Sequence, residues 1–214
     1  MNVADLIAWY PTIYHMAEVD AWPSIQRHGL LPTRTLVEMF ERDQAVRARL
    51  LTTVRSESTV LHHPTLGSVK IRDQKPAKFL HDCIDETSTP QQFLDALNER
   101  VYFWATEERL HRLLNATQYR HQANIVLHID TAALIDLCGD RVELAPYNTG
   151  SMHVPNAPKR GHTVFTAIAD YPYDEWKRKR GRQGEPLVEI TVRGGLSDIT
   201  PVVRHIETHP PATR

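Results

Sequence analysis

Apolar residues recur along this chain in two rhythms, one every three to four positions and one every second position, with short polar breaks between them. The helical rhythm occupies residues 3–10, stops at Pro11, and yields to a short strand over 12–15. Residues 22–29 read as a helix with Asp20 as N-cap, Pro23 in its first turn and Gly29 just past its end. Leu36, Phe40, Val46, Leu50 and Leu51 recur at helical spacing, which predicts one solvent-facing helix over 36–51. Val60, Leu61, Val69 and Ile71 flank a turn between Pro64 and Gly67, so residues 58–73 read as two short strands. Helices are expected over 78–83 and 90–97, the second begun by Thr89 and Pro90.

From residue 101 the strand rhythm takes over. Residues 101–105 form a strand in which alternation sets Tyr102 and Trp104 on one face and Phe103 on the other. Thr106 caps a helix over 107–114, a strand follows over 124–130, and a short helix over 131–137 is ended by Gly139. A brief strand is expected at 142–144, a polar loop over 147–162, and a strand over 187–192 closed by Gly194 and Gly195. No repeat, low-complexity tract or Gly/Ser linker divides the chain. The expectation is one α+β domain over residues 1–203, with a helical insertion in its first half and a flexible tail over 204–214.

Composition narrows the class. The 214 residues are 41% apolar, and the longest apolar stretches, over 124–129 and 131–137, fall well short of the roughly 20 residues a bilayer span needs. The start lacks the basic segment and apolar core of a secretory signal, and Cys83 and Cys138 are too few for a disulfide framework, so a cytoplasmic setting is expected. With 25 Lys plus Arg against 26 Asp plus Glu, bulk charge does not attract nucleic acid, but the run Lys177, Arg178, Lys179, Arg180 makes a local basic patch. The 12 histidines invite a metal site. None is expected, because no HExxH, no HxH and no Cys/His cluster of ligand spacing occurs, and the adjacent His62 and His63 point to opposite faces of a strand.

Four small constellations carry candidate chemistry. Tyr14 and His15 end a strand and are followed by His28, Gly29 and Leu30. Arg72, Asp73 and Gln74 follow another strand, where an arginine can clamp a phosphate. The third is the aromatic strand, and the fourth is Glu189, a carboxylate between Val188 and Ile190 where burial is costly unless its face meets a cleft. Taken singly, each also reads as ordinary packing or solvated surface.

Taken in order, the segments IYHMAEVDAWPSIQRHGLL, RVYFWATEERLHRLL and GEPLVEITVRGGLSDITPV resemble ADP-ribosyltransferase-like domains of the DarT type. From Tyr14 to about Val203 the chain is also similar to an uncharacterised bacterial family with YHM, RDQ and VYFW motifs. The aromatic strand departs from the DarT pattern, running into Thr106, Glu107, Glu108 and Arg109 in place of an Arg-Ser-Pro type of sequence.

The resemblance implies a split antiparallel sheet with helices packed around it, and an enzyme that consumes NAD without a metal. It makes Glu189 the catalytic carboxylate and places NAD against Tyr14, His15, Gly29, Leu30 and Tyr102, with Arg72 or Arg109 on the pyrophosphate. Since no GxGxxG follows a strand, a Rossmann site is not the route to NAD. Lys177, Arg178, Lys179 and Arg180 would receive the acceptor, nucleic acid being favoured over protein, with Tyr171, Tyr173 and Trp176 available to stack on bases. A toxin of this kind implies an antitoxin or hydrolase partner and no membrane. Two other classes stay open: a non-catalytic nucleotide-binding or toxin–antitoxin interaction module, and a metal-independent RNase using His15 and His28.

Overall fold

The computed structural model describes residues 1–74, 77–154 and 157–212. The chain runs α1 (Val3–Trp9), β1 (Thr12–Glu18), α2 (Trp22–His28), α3 (Thr33–Phe40), α4 (Gln44–Thr52), β2 (Thr59–His63), β3 (Gly67–Ile71), α5 (Leu80–Cys83) and α6 (Pro90–Asn98). It continues with β4 (Arg100–Trp104), α7 (Glu107–Leu114), β5 (Asn124–Asp130), α8 (Thr131–Cys138), β6 (Val142–Ala145), β7 (Thr166–Ala167), α9 (Tyr173–Arg180), β8 (Glu189–Arg193) and β9 (Val203–His209). Seven strands form one sheet in the order β7-β6-β8-β4-β1-β5-β9, every neighbouring pair antiparallel, and β2 and β3 form a separate hairpin. The fold is α+β, as the order of rhythms predicts.

One sheet face buries Ile13, Phe103, Leu127, Ile129 and Ile190 beneath Leu6 of α1, Ile25 of α2 and Leu134 of α8. On the other face, Leu110 and Leu114 of α7 pack against Met16 and Val126. Local caps start the helices where the sequence places them. Thr89 and Gln92 close a capping box on α6, and the Thr106 hydroxyl accepts from the Arg109 N–H of α7. The Asp130 carboxylate does the same for Ala133 of α8, which turns a buried strand directly into a helix.

Several expectations are corrected. The helix expected over 36–51 is two helices, because Asp43 accepts from the N–H groups of Ala45 and Val46 (2.7 and 3.1 Å) and so caps a new start. One side of that segment faces solvent, with Gln44, Ala45, Ala48 and Arg49 exposed, while Val37, Phe40, Leu50 and Leu51 bury against Leu61 and Ile71 of the hairpin, making the first-half insertion a small mixed layer with its own core. Asp20 does not cap α2, where Ala21 stands at the N-cap without a side-chain bond. The basic run is the last turn of α9, where cations complement the helix dipole. The expected tail instead supplies β9, paired with β5 from Asn124↔His209 to Ile129↔Val203. Residues 155–156 of the expected loop and 213–214 of the tail lie outside the described residues. Among the described residues, no helix is long and apolar enough to cross a membrane.

Candidate functional site

β1 and β4 are neighbours in the sheet yet share a single paired position, Tyr14↔Trp104, whereas β1 pairs with β5 along its whole length. Beyond that one rung the two strands part, and a cleft of about 550 Å³ opens between them, floored by β1 and β4 and walled by α2, the start of α3, the β3 exit and the loop after β6. Main-chain hydrogen bonds that would have closed the sheet are thus exchanged for space.

His15 holds the split from the β1 side, its Nδ1 lying 2.8 Å from the Tyr102 carbonyl oxygen. A carbonyl only accepts, so the proton is on Nδ1 and Nε2 is left as an acceptor. Burial lowers the imidazole pKa to about 4 against the opposing effect of that hydrogen bond, and the Arg72 charge adds to the lowering. The ring is neutral at physiological pH.

Glu189 opens β8 and pairs with Trp104 on one side and Ala145 on the other, which sets it in the middle of the sheet at 4% exposure. Its Oε2 accepts from the Thr149 N–H (3.0 Å) and the Thr149 hydroxyl (2.7 Å). Among the described residues Oε1 has no hydrogen-bond partner, and Glu189 lines the cleft. Burial pushes the carboxyl pKa up to about 7, held back by the two Thr149 bonds and the charges of Arg160 and Arg109.

The remaining walls are built by close backbone approach and by cations. Gly29 has φ +87°, and a Cβ there would stand 2.1 Å from the Leu196 carbonyl oxygen, so only glycine lets Leu30 bridge to Leu196. Arg72 lies over the Tyr119 ring at 4.3 Å and has no ion-pair partner among the described residues. Tyr102 lines the cleft with its ring while its hydroxyl donates to the Leu97 carbonyl (2.9 Å). Burial, and then the Glu189 charge, push its pKa far above the ordinary phenol value.

Glu189, His15, Gly29, Leu30, Arg72 and Tyr102 therefore meet in one cleft, as does His28. Other expected residues do not join them. Tyr14 packs edge-on to His128 (5.2 Å) beside the α7 cluster and does not line the cleft. Arg109 is ion-paired to Glu185, which also accepts from the Thr106 hydroxyl (2.8 Å), so it braces the start of α7. None of Lys177, Arg178, Lys179 and Arg180 lines the cleft. Arg180 donates to the carbonyls of Glu185 and Pro146, and the exposed Lys179 sits over the Trp176 ring at 4.8 Å, while the exposed Lys177, Arg178 and Arg182 lie beside a shallow groove at Tyr173. Tyr171 is buried with its hydroxyl on the Pro186 carbonyl (2.6 Å), so no base can stack there.

Three cleft residues escaped the sequence reading. Arg55, only 8% exposed, donates to the Arg72 carbonyl (3.0 Å), the Leu50 carbonyl (2.8 Å) and Asn98 Oδ1 (3.1 Å). Burial lowers its pKa to about 10, so it stays cationic. Asn98 and Thr149 complete the set. Their only sequence signals were a helix end and an Asn-Thr-Gly turn, neither of which marks a site. Among the described residues, no group of three or more His, Cys, Asp or Glu side chains is arranged to hold a metal ion.

The chain matches the model of DUF7002, a family of unknown function, over residues 11–203. The chain belongs to DUF7002. The DUF7002 match takes in every cleft side chain from His15 to Glu189 and leaves out α1 and all of β9 except Val203. The cleft is thus inside the part of the chain that defines membership, whereas the outer edge strand is not. No curated protein matches the chain.

Proposed function

We propose that this protein is an ADP-ribosyltransferase that moves ADP-ribose from NAD to an acceptor. The reading is carried by one observation: Glu189, His15, Tyr102, Gly29 and Leu30, drawn from separate segments by their resemblance to DarT-type domains, converge on one cleft with Arg72, the phosphate-clamp candidate from the turn after β3. Its volume is that of a pocket for a ligand of this size. In this reading the bond between nicotinamide and ribose C1′ breaks, its electron pair leaves with neutral nicotinamide, and positive charge develops on the ribose. Glu189, ionised and with Oε1 not hydrogen-bonded among the described residues, stabilises that charge and takes the proton of the acceptor as its new bond to C1′ forms. Its raised pKa makes it a competent base near neutral pH.

The neutral His15 ring offers Nε2 as an acceptor to a ribose hydroxyl, and the Tyr102 ring stacks on nicotinamide. Arg72 takes the pyrophosphate with Arg55 behind it, and Arg109, committed to Glu185, drops out of that role. For the acceptor we favour nucleic acid, received by the exposed Lys177 and Arg178. The two cysteines are free and buried, which fits a cytoplasmic setting, and a toxin of this activity calls for an antitoxin or hydrolase partner. The RNase alternative is weakened, because a His15 imidazole whose pKa lies near 4 carries no imidazolium proton to give and is a weak base at neutral pH.

The test is incubation with labelled NAD and total nucleic acid or lysate. Nicotinamide release and label transfer are expected from the native chain and should fall about 10²–10³-fold in Glu189→Gln. RNA cleavage without NAD, or NAD binding with no turnover, would overturn the assignment in favour of the RNase or the binding module respectively.

A further inference from the structure

Glu189 is not held by its own strand alone. Both donors on its Oε2 belong to Thr149, a fully buried residue of the loop between β6 and β7. That loop is pinned in turn by Arg160, whose Nη1 donates to the carbonyls of Asn148 (2.9 Å), Thr149 (3.3 Å) and Ser151 (3.3 Å), and whose Nε donates to the Pro158 carbonyl (3.0 Å). The Arg160 guanidinium also lies over the Tyr147 ring at 4.7 Å, and Arg180 of α9 approaches the same ring at 5.5 Å. Arg160 is 3% exposed and forms no salt bridge among the described residues, so the side-chain hydrogen bonds of this desolvated cation there all go to main-chain carbonyls. A buried charge of that kind is costly unless it serves the groups around it. What it serves is the segment that carries Thr149.

We propose that Thr149 is the positioning residue of this site: its N–H and hydroxyl together fix Oε2 of Glu189, leaving Oε1 as the oxygen presented to the ligand, and Arg160 locks the loop that does so. Asn148, Thr149 and Gly150 themselves line the cleft, so the loop sets the carboxylate and forms part of the wall at once. The groups facing Glu189 are few. Arg160 comes from this loop, Arg109 from α7 and Tyr102 from β4, while β6 offers only Ala145 opposite it. Arg109 is committed to Glu185 and the Tyr102 hydroxyl to Leu97, so neither can replace the Thr149 hydroxyl on Oε2. The inference rests on the proposed role of Glu189, but its structural content can be read without turnover.

The test is a ¹³C titration of the Glu189 carboxyl group, assigned with Glu189→Gln, in the native chain, Thr149→Val and Thr149→Ser, alongside the pH profile of nicotinamide release. Thr149→Val keeps the shape and the N–H but loses one donor, so its midpoint should lie about one pH step above the native one. Release at pH 7 should then fall about fivefold and recover above about pH 9, with Thr149→Ser matching the native chain. A general loosening of the fold would be rescued neither by pH nor by serine. If Thr149→Val does not fold, Thr149→Ala removes the same donor with less bulk. Equal titration midpoints with and without the hydroxyl would sink the positioning role. A moved midpoint with no NAD turnover by the native chain would support the positioning role and overturn the transferase reading.

Discussion

Glu189 and His15 are pushed toward neutrality from opposite sides of the pH scale, and the protein's stability should register it. Below about pH 4.5 the Glu189 carboxyl is protonated whether or not the chain is folded. As pH rises toward about 7 the unfolded chain ionises there while the folded chain keeps its proton, so stability falls through this window and levels off above it. The gap between 4.5 and about 7 corresponds to on the order of 3 kcal/mol. Glu189→Gln should therefore melt higher than the native chain above pH 7, and the two should converge toward pH 4.5, which thermal denaturation across that range checks. A variant that is more stable and inactive would be a carboxylate kept at a cost to stability. His15 works the other way: its contribution is complete above about 6.5 and is lost as pH falls toward about 4. From the sequence, Glu189 was readable as a carboxylate in an apolar strand. Thr149 was not readable as its partner, because 40 residues separate them and no local pattern ties a turn threonine to a strand glutamate.

Among the elements, those whose signals are local were the legible ones. Thr89 with Gln92, Thr106 and Asp130 bond to backbone groups within three residues, and the helices they begin stand where the sequence puts them. The single helix expected over 36–51 failed because its apolar spacing continues across a cap that Asp43 imposes, and a packed hairpin uses both halves. Gly29 shows the same limit. Its place after a helix marks a stop, but its contact with Leu196 comes from the far end of the chain. Gly29→Ala should cost more than about 2 kcal/mol in urea unfolding, since φ +87° is strained for any side chain and the Cβ meets a carbonyl. Gly139→Ala, with φ +56° and open space around it, should cost only about 1 kcal/mol.

At the level of the whole molecule, the cleft exists because β1 bonds fully to β5 and only once to β4. β9 covers the free edge of β5, Ile206 packs on the core, and Arg204 reaches Asp130 (2.7 Å) and Thr12 (3.1 Å). Deleting residues 204–214 should expose the edge of the buried strand β5 and abolish cooperative folding or solubility, as circular dichroism with denaturant would reveal; an unchanged transition would mean that the sheet closes without its outer strand. The sequence by itself determined the α+β class, most helix starts, the alternation that turns Tyr102 and Trp104 to one face, and the candidate carboxylate, because each is decided by neighbours a few residues away. Tertiary structure alone decided that β1 and β4 part, that Arg109 and Arg180 brace neighbouring segments away from the cleft, that Arg55 and Thr149 line it, and that residues 203–209 are a strand. Those outcomes turn on which distant groups compete for the same hydrogen bonds and the same space, and a linear pattern carries no record of that competition.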